Sequence, residues 1–478
     1  MSAQKAHWHT SREVVKRIVI QGKLVLETPT QLGNGETLGP TDMNLLRDSV
    51  DNRKALLTGT SIAGALRSYL REVRHGYENP SAKGSPVLTL FGMTRGDDTG
   101  TQSLLIVDDA RSQEPAAVEI RDGVCIDSAT GTAKDGAKFD MELLQVGTTF
   151  PLRFELLIPQ YEDEVTLKRA LTQALHGFEV GEIPLGARKR RGFGRCRVQG
   201  WQVTTYDLTS RDGILAWLRE DEGESESKLP IDKALGVQPP EGDARKRFTL
   251  DATFSLDGSL LIRAEAESGA DAGHLRSHRP GKGAVPILPG TSLAGVLRHR
   301  ALRIANTLAI DEKRGPNLIN KMFGSSKKDA LTASRVAVQE TEVENVQPLV
   351  QTRVKIDRFT SGAYPTALFR EEPIFGGPDS RVKVKFTLRN PEDHEVGLLL
   401  LLLKDLWTGD LPVGGESSVG RGRLRGIKAQ LDWSGKDSWK LSAASDGLRI
   451  EGDQEQLEKC VGALQAHLKK EVDDGTAT

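Results

Sequence analysis

The chain has 478 residues, 37% hydrophobic and 27% charged, with a formal net charge of −1. That length supports two or more domains with full cores, and 65 Lys and Arg against 66 Asp and Glu exclude a molecule coated throughout in basic surface. The longest leucine run, Leu398 to Leu403, ends at Lys404 and is too short to span a bilayer, so no membrane partner is expected.

The N-terminal MSAQKAHWHTSREVVKR has no apolar signal core, and Cys125, Cys196 and Cys460 form neither a disulfide framework nor a zinc motif. A cytoplasmic, reducing location fits. RIVIQGKLVLET (17–28) predicts a strand from its β-branched run and the alternation of Leu24 and Leu26. A glycine-containing loop, ETPTQLGNGETLGPTDMNLLRD (27–48), carries Asp42 near its end. LTGTSIAGALRSYLR (57–71) predicts a helix capped by Thr60 or Ser61, with Ile62, Ala65, Leu66, Tyr69 and Leu70 on one face. PLRFELL (151–157) predicts a strand and VTLKRALTQALHGF (165–178) a second helix. ARKRRGFGRCRV (187–198) then gathers six basic residues and no acid. Strand, helix, strands, helix, loop and strand describe an α+β, ferredoxin-like unit.

The same order recurs. LPGTSLAGVLRHRAL (288–302) answers the first helix, with Thr291 lying 231 residues after Thr60. GADAGHLRS (269–277) can be laid on PTDMNLLRD (40–48), placing Asp271 against Asp42 and Arg276 against Arg47. GDLPVGGESSVGRGR (409–423) answers GEIPLGARKRRGFGRCR (181–197), with Gly409 against Gly181 and Gly420 against Gly194. RFTLDATFSL (247–256) and RVKVKFTL (381–388) supply strands, and EVGLLLLLLKDLW (395–407) the second helix. The expected division is a first unit over 14–207, an acidic linker over 208–245, a second unit over 246–434 and a tail over 435–478. The linker holds EDEGESES (220–227), with five acids and no base. In the tail Leu457, Val461, Leu464 and Leu468 predict a short helix, and DDGTAT a frayed end.

Gly290 and Gly295 are spaced as in a phosphate-binding P-loop, but Val296 stands where its lysine should be, so nucleotide hydrolysis is not expected. A helix start still offers backbone N–H groups to an anion. Gly59, Thr60 and Ser61, with Gly290, Thr291 and Ser292, are therefore candidate contacts to polynucleotide phosphate. Arg67, Arg71, Arg298 and Arg300 are displayed beside them. In the late loops Arg188, Lys189, Arg190, Arg191 and Arg195 flank Gly192 and Gly194, while Arg421 and Arg423 follow Gly420. Glycine lets a backbone come close, and arginine donates to phosphate oxygens in pairs. RGFG matches half of an RNP1 pattern, but Arg195 stands where an aromatic should follow. An aspartate such as Asp42 or Asp271 near bound RNA can hold a magnesium ion or assist a 2′-hydroxyl attack. Alternatively, each orients Arg47 or Arg276. His274 and His278 lie four apart with no third ligand at zinc-like spacing, so no zinc is expected.

In these residues the sequence resembles the RAMP superfamily of CRISPR-associated proteins, and within it the backbone subunit of type III effector complexes, here twice in one chain. The marks are the GTSLAGVLR helix start, the loop aspartate, Phe91-Gly92 and Phe323-Gly324, the stretch RVKIDRFTSGA (353–363) and the terminal Gly and Arg loop. The resemblance implies two modified-RRM units, each with a β-hairpin thumb beginning at RDGVCIDSATGTAK (121–134) or RVKIDRFTSGAYPT (353–366). Arg353 and Arg358 would then face RNA. It further implies guide CRISPR RNA, target RNA and other effector subunits as partners. It implies endoribonuclease cleavage of target RNA with magnesium or another divalent metal, at Asp42 and Asp271. The first copy departs from the family pattern with Thr58 in place of the usual proline, and the loop before Asp271 lacks the Gly-rich lead-in. Two other readings stand beside this one: a guide-binding scaffold that cuts nothing, and a guide-processing endoribonuclease. The last would want a histidine base, and the histidines recur at no equivalent positions.

Overall fold

A computed structural model describes residues 13–35, 41–81, 84–92, 102–127, 130–220, 229–266, 268–325, 331–444 and 447–469. The alternating run at the start of the first repeat forms β1 (Val14–Leu26), which buries Ile18, Ile20, Leu24 and Leu26. There follow α1 (Gly59–His75), β2 (Leu105–Val107), a hairpin of β3 (Val118–Ile126) and β4 (Ala133–Leu144), then β5 (Thr149–Pro159), α2 (Glu164–Glu179) and β6 (Cys196–Asp207). The sheet is antiparallel in the order β2-β5-β1-β6, with the first strand in the interior. That is the order of a ferredoxin-like unit with a hairpin inserted between its second and third strands. Leu66 and Leu70 of α1 and Leu167 and Leu171 of α2 join the sheet in one core, each buried leucine contributing about 1.5–3 kcal/mol.

The second unit repeats the plan. It contains β7 (Arg247–Leu260), α3 (Gly290–Leu308), β8 (Val336–Val338), a hairpin of β9 (Gln351–Ile356) and β10 (Ala363–Glu372), then β11 (Arg381–Arg389), α4 (Asp393–Trp407) and β12 (Arg423–Trp433). Its sheet runs β8-β11-β7-β12, the same order as in the first. By compactness the second unit also takes in Arg121–Asp140 and Arg190–Gly192.

Two expected boundaries differ from those found. The stretch read as a linker folds with the first unit on both sides of its acidic run. Ile231 and Leu235 are buried, Leu229 and Trp201 exchange backbone hydrogen bonds, and Arg245 pairs with Glu182 at 2.7 Å. Apolar residues four apart at 231 and 235 are one turn of an amphipathic helix, a signal that the neighbouring acids outweighed in the average composition. Most of that acidic run, 221–227, lies outside the described residues, as does DDGTAT. The expected tail is an integral part of the second unit. β13 (Ser438–Ala444) and β14 (Gly447–Glu451) extend the sheet from β12, and α5 (Gln454–Lys469) packs on α4. Cys460 takes a buried place where Val461 was expected. Among the described residues no helix is long and apolar enough to cross a membrane.

Candidate nucleic-acid interface

The first helix begins two or three residues earlier than the sequence suggests. Thr58, with φ −71° and ψ 142°, is the N-cap, and its hydroxyl accepts from the N–H of Ser61. Pro289 has the same place before α3. Packing accounts for Gly59 and Gly290, which the sequence reading assigned to phosphate. A Cβ on Gly59 would lie 2.2 Å from the carbonyl oxygen of Val107, and one on Gly290 would lie 2.8 Å from that of Val338. Both helix starts rest directly on the neighbouring strand. Gly59 also donates its N–H to Asp109 Oδ1 at 2.6 Å, so the protein itself supplies an anion to the first helical amide. Asp109 left no sign in the sequence, because it lies in another loop. Gly64 and Gly295 differ: nothing stands within 4 Å of where a Cβ would be.

On this open side a cleft of about 720 Å³ lies within the first unit. Its walls include Asp42 and Asn44 from the aspartate loop, Thr58, Thr60 and Ser61 from the helix start, and Lys189 from the basic loop. Three stretches far apart in sequence thus converge. Asp42 and Lys189 are exposed. Arg188 adopts φ +53° and brings its guanidinium to 3.7 Å from the Met43 sulfur, beside Asp42. Asn44 was not singled out in the sequence, since an asparagine in a polar loop reads as a turn residue.

The two aspartates occupy matching places. Met43, next to Asp42, bridges in parallel to Met141 of β4, and Ala272, next to Asp271, bridges in parallel to Glu371 of β10. Each aspartate therefore stands at the root of its hairpin. Asp271 is tied there: Oδ2 accepts from the N–H of Arg370 at 2.7 Å, and its own N–H donates to the Arg370 carbonyl at 3.0 Å. The arginines that the aspartates were expected to orient go elsewhere. Arg47 meets Glu142 at 3.5 Å, and Arg276 donates to the carbonyl of Ala284 at 3.3 Å.

The late loops require a change of register. Gly194, at φ +79°, would place a Cβ 1.8 Å from the Leu185 carbonyl oxygen, and Gly422, at φ +81°, would place one 1.9 Å from that of Val413. Leu185 and Val413 donate to the carbonyls of these same two glycines. Gly194 therefore matches Gly422 and not Gly420, and the partner of Gly420 is Gly192. Arg188 then falls opposite Glu416, both at positive φ.

Several expected RNA contacts have partners inside the protein. Arg421 is 2% exposed and meets Glu371 at 3.2 Å and Glu416 at 3.0 Å. Arg353 meets the same two carboxylates. Burial, then Glu416 beside it, holds the Glu371 carboxyl above the usual carboxylate range. Arg298 donates to the Gly324 carbonyl at 2.7 Å and to Asn320 Oδ1 at 2.8 Å, closing the end of the helix Arg314–Phe323. Arg300 meets Asp405 at 2.6 Å, and Arg195 lies 3.6 Å from Glu27. Arg67, Arg71, Arg190, Arg191, Thr291 and Ser292 are half-buried, whereas Arg358 and Arg423 are exposed. His274 is buried with both ring nitrogens committed, Nδ1 accepting from Ile262 and Nε2 donating to the Ile287 carbonyl. Burial pushes it down to about 4.

Among the described residues no group of three or more His, Cys, Asp or Glu side chains is placed to hold a metal. Asp42 offers one carboxylate. One carboxylate is chemically suited to an ion that keeps most of its waters, as magnesium does.

Comparison with curated proteins gives no match. A family model described as the RAMP superfamily matches residues 23–197 and again 230–425. The two matched stretches correspond to the two units of like strand order, the second beginning inside the stretch read as a linker. With most of its length matched in this way, the chain belongs to the RAMP superfamily of CRISPR-associated, RNA-binding proteins and carries two of its units in tandem.

Proposed function

We propose that the chain is the backbone subunit of a type III effector, binding guide CRISPR RNA along both units and cutting guide-paired target RNA beside Asp42 and beside Asp271. The observation that carries this reading is the cleft of the first unit, which an exposed aspartate, a helix start and Lys189 all line. The hydroxyls of Thr58, Thr60 and Ser61 and the Lys189 ammonium are chemically suited to phosphate oxygens. Asp42, on the rim, is suited to accept the 2′-hydroxyl proton or to hold a divalent ion jointly with the phosphate. Such an ion, when bound, supplies charge stabilisation at the phosphate being cut. Cutting then requires that the bound strand be held with the 2′-oxygen in line with the leaving 5′-oxygen, which is the task of the surrounding donors. No histidine is among the residues lining the cleft, which counts against a guide-processing enzyme with a histidine base. Other effector subunits and a cytoplasmic setting follow from the same reading.

The test is target cleavage by the reconstituted complex with Asp42→Ala and Asp271→Ala introduced separately. Each is expected to remove one cut and leave RNA binding intact. Unchanged cutting in both would leave the guide-binding scaffold, a reading that the hydrogen bond between Asp271 and Arg370 favours for the second unit.

A further inference from the structure

The face of the second unit's sheet that points away from α4 carries charge used neither by packing nor by the site above. On β11 and β12, Val384, Phe386, Leu424 and Leu431 are buried in the core with α4, so the residues between them stand on the opposite face. Cross-strand register sets five residues of that face in one row: Lys383 on β11, Thr253 on β7, Lys428 on β12, Ser442 on β13 and Arg449 on β14. Lys383, Lys428 and Arg449 are exposed, and none has an ion-pair partner among the described residues. The row holds no acid. The next row does: Asp251 lies 3.7 Å from Lys385, and Glu451 stands opposite Lys440, the favourable cross-strand arrangement of unlike charges. In the first unit, Arg17 and Arg153 on this face are paired instead. Arg17 meets Glu155 at 2.7 Å and lies against the ring of Trp217, and Arg153 meets Asp108 at 3.2 Å.

Adjacent strands are about 4.8 Å apart, so the row is about 19 Å long with a cation about every 10 Å. Ammonium and guanidinium groups alternating with hydroxyls are donors suited to phosphate oxygens. No apolar side chain stands among them, so a protein partner would find nothing there to form the dry centre of an interface. The acids of the next row repel a second backbone lying alongside, which favours a single strand over a duplex. We propose that this row binds one strand of RNA through its phosphates, across the sheet and without choice of bases. It takes no residue from the cleft or from the hairpin roots, and Lys428, Ser442 and Arg449 lie beyond the family match, which ends at 425. The inference therefore goes beyond the reading of the aspartates and does not depend on cutting.

The experiment measures binding of a fluorescent oligouridine to the full chain over a salt series. It compares wild type with a triple variant, Lys383→Gln, Lys428→Gln and Arg449→Gln, and with a double variant, Asp251→Asn and Glu451→Gln. A single strand contributes about 0.7 to the slope of log affinity against log salt per phosphate contact, so the triple variant should flatten that slope by about 2. The double variant should tighten binding severalfold at low salt and narrow the preference for single strand over duplex, a gain that misfolding cannot imitate. An unchanged slope in the triple variant, or no gain in the double variant, overturns the proposal. So does unaltered oligouridine binding by a triple variant that no longer retains another subunit in the assembled complex, which would make this face a protein contact. The triple variant should still cut target beside Asp42 and Asp271 when loaded with guide. If Asp42→Ala and Asp271→Ala leave cutting unchanged while the triple variant loses slope, the reading of the aspartates fails and this one stands. If the cuts vanish while the slope holds, only this inference fails.

Discussion

His394, at the start of α4, and His467, near the end of α5, stack with ring centroids 3.8 Å apart and planes 8° from parallel. Burial first holds both imidazoles below their ordinary value of 6.5. Lys321 and Arg335 add to this at His394, against the opposing pull of Glu392, and His394 itself and Arg314 add to it at His467. A histidine whose folded value is depressed takes up protons more readily when unfolded. Its contribution to stability is therefore complete above pH 6.5 and is lost as the pH falls through that value, until the folded pair titrates as well. Two imidazolium charges at 3.8 Å repel by about 1 kcal/mol in a water-like dielectric and about 4 kcal/mol at an effective value near 20. His467 is only half-buried and Glu392 lies 3.7 Å from His394 Nδ1, so the lower end applies. We expect a loss of about 1–2 kcal/mol, a few degrees in unfolding midpoint for a unit of this size. Thermal unfolding of the full chain, with amide exchange over 454–469, would be followed between about pH 8 and about pH 5. The α5 amides should lose protection on acidification, and His467→Gln should flatten that dependence. A His467→Gln chain with the wild-type pH profile would refute the reasoning.

Other expectations bear on single contacts. Arg298→Ala strips the donors from Gly324 and Asn320 and should cost about 1–3 kcal/mol of stability while leaving the salt dependence of RNA affinity as it was. A shallower salt slope would return Arg298 to the RNA surface. Gly397→Ala would put a Cβ 2.2 Å from the Cys460 carbonyl oxygen, and should lower the unfolding midpoint of the second unit by the cost of overpacking, about 1–3 kcal/mol. An unaltered midpoint would show that α5 is not firmly docked on α4. Replacing Arg188 and Lys189 together by alanine should reduce the slope of log affinity against log salt by about 1–2, and no change would remove that loop from the interface.

The fold was legible because its signals are local. Alternation in 17–28, amphipathic spacing after Gly59 and after Gly290, and the recurrence of these in one order carry the two units without long-range information. The destinations of charged side chains were not legible. Arg67 and Arg298 hold equivalent positions on two like helices, and nothing in the sequence says that Arg298 meets a helix end 26 residues away. Glycine was ambiguous for the same reason. Gly59 and Gly64 look alike in a motif, yet one lies against a carbonyl oxygen and the other faces open space. The late loops were paired by laying Gly194 on Gly420, whereas backbone hydrogen bonding and left-handed φ decide the register and shift it by two residues. In the stretch read as a linker, one acidic run outweighed the flanking Ile231 and Leu235, whose burial depends on the sheet beneath them.

Set side by side, the two units separate what the fold requires from what it leaves free. Gly59 and Gly290, or Gly194 and Gly422, are the same residue in both because a carbonyl oxygen occupies the space of a side chain. Around the aspartates the units part: Asn44 corresponds to Gly273, Thr58 to Pro289, Arg188 to Glu416 and Lys189 to Ser417. The exchange of Arg188 for Glu416 reverses a charge at a fixed backbone position. Glu416 then joins Glu371 in holding Arg353 and Arg421 beneath the second hairpin, so cations that the sequence offers to RNA are spent on the hairpin's own root. An aspartate alone cannot orient a phosphodiester, whichever unit it stands in. On the proposed function, the activity at each aspartate should therefore follow its surrounding donors, and the number of efficient cuts per chain need not equal the number of aspartates.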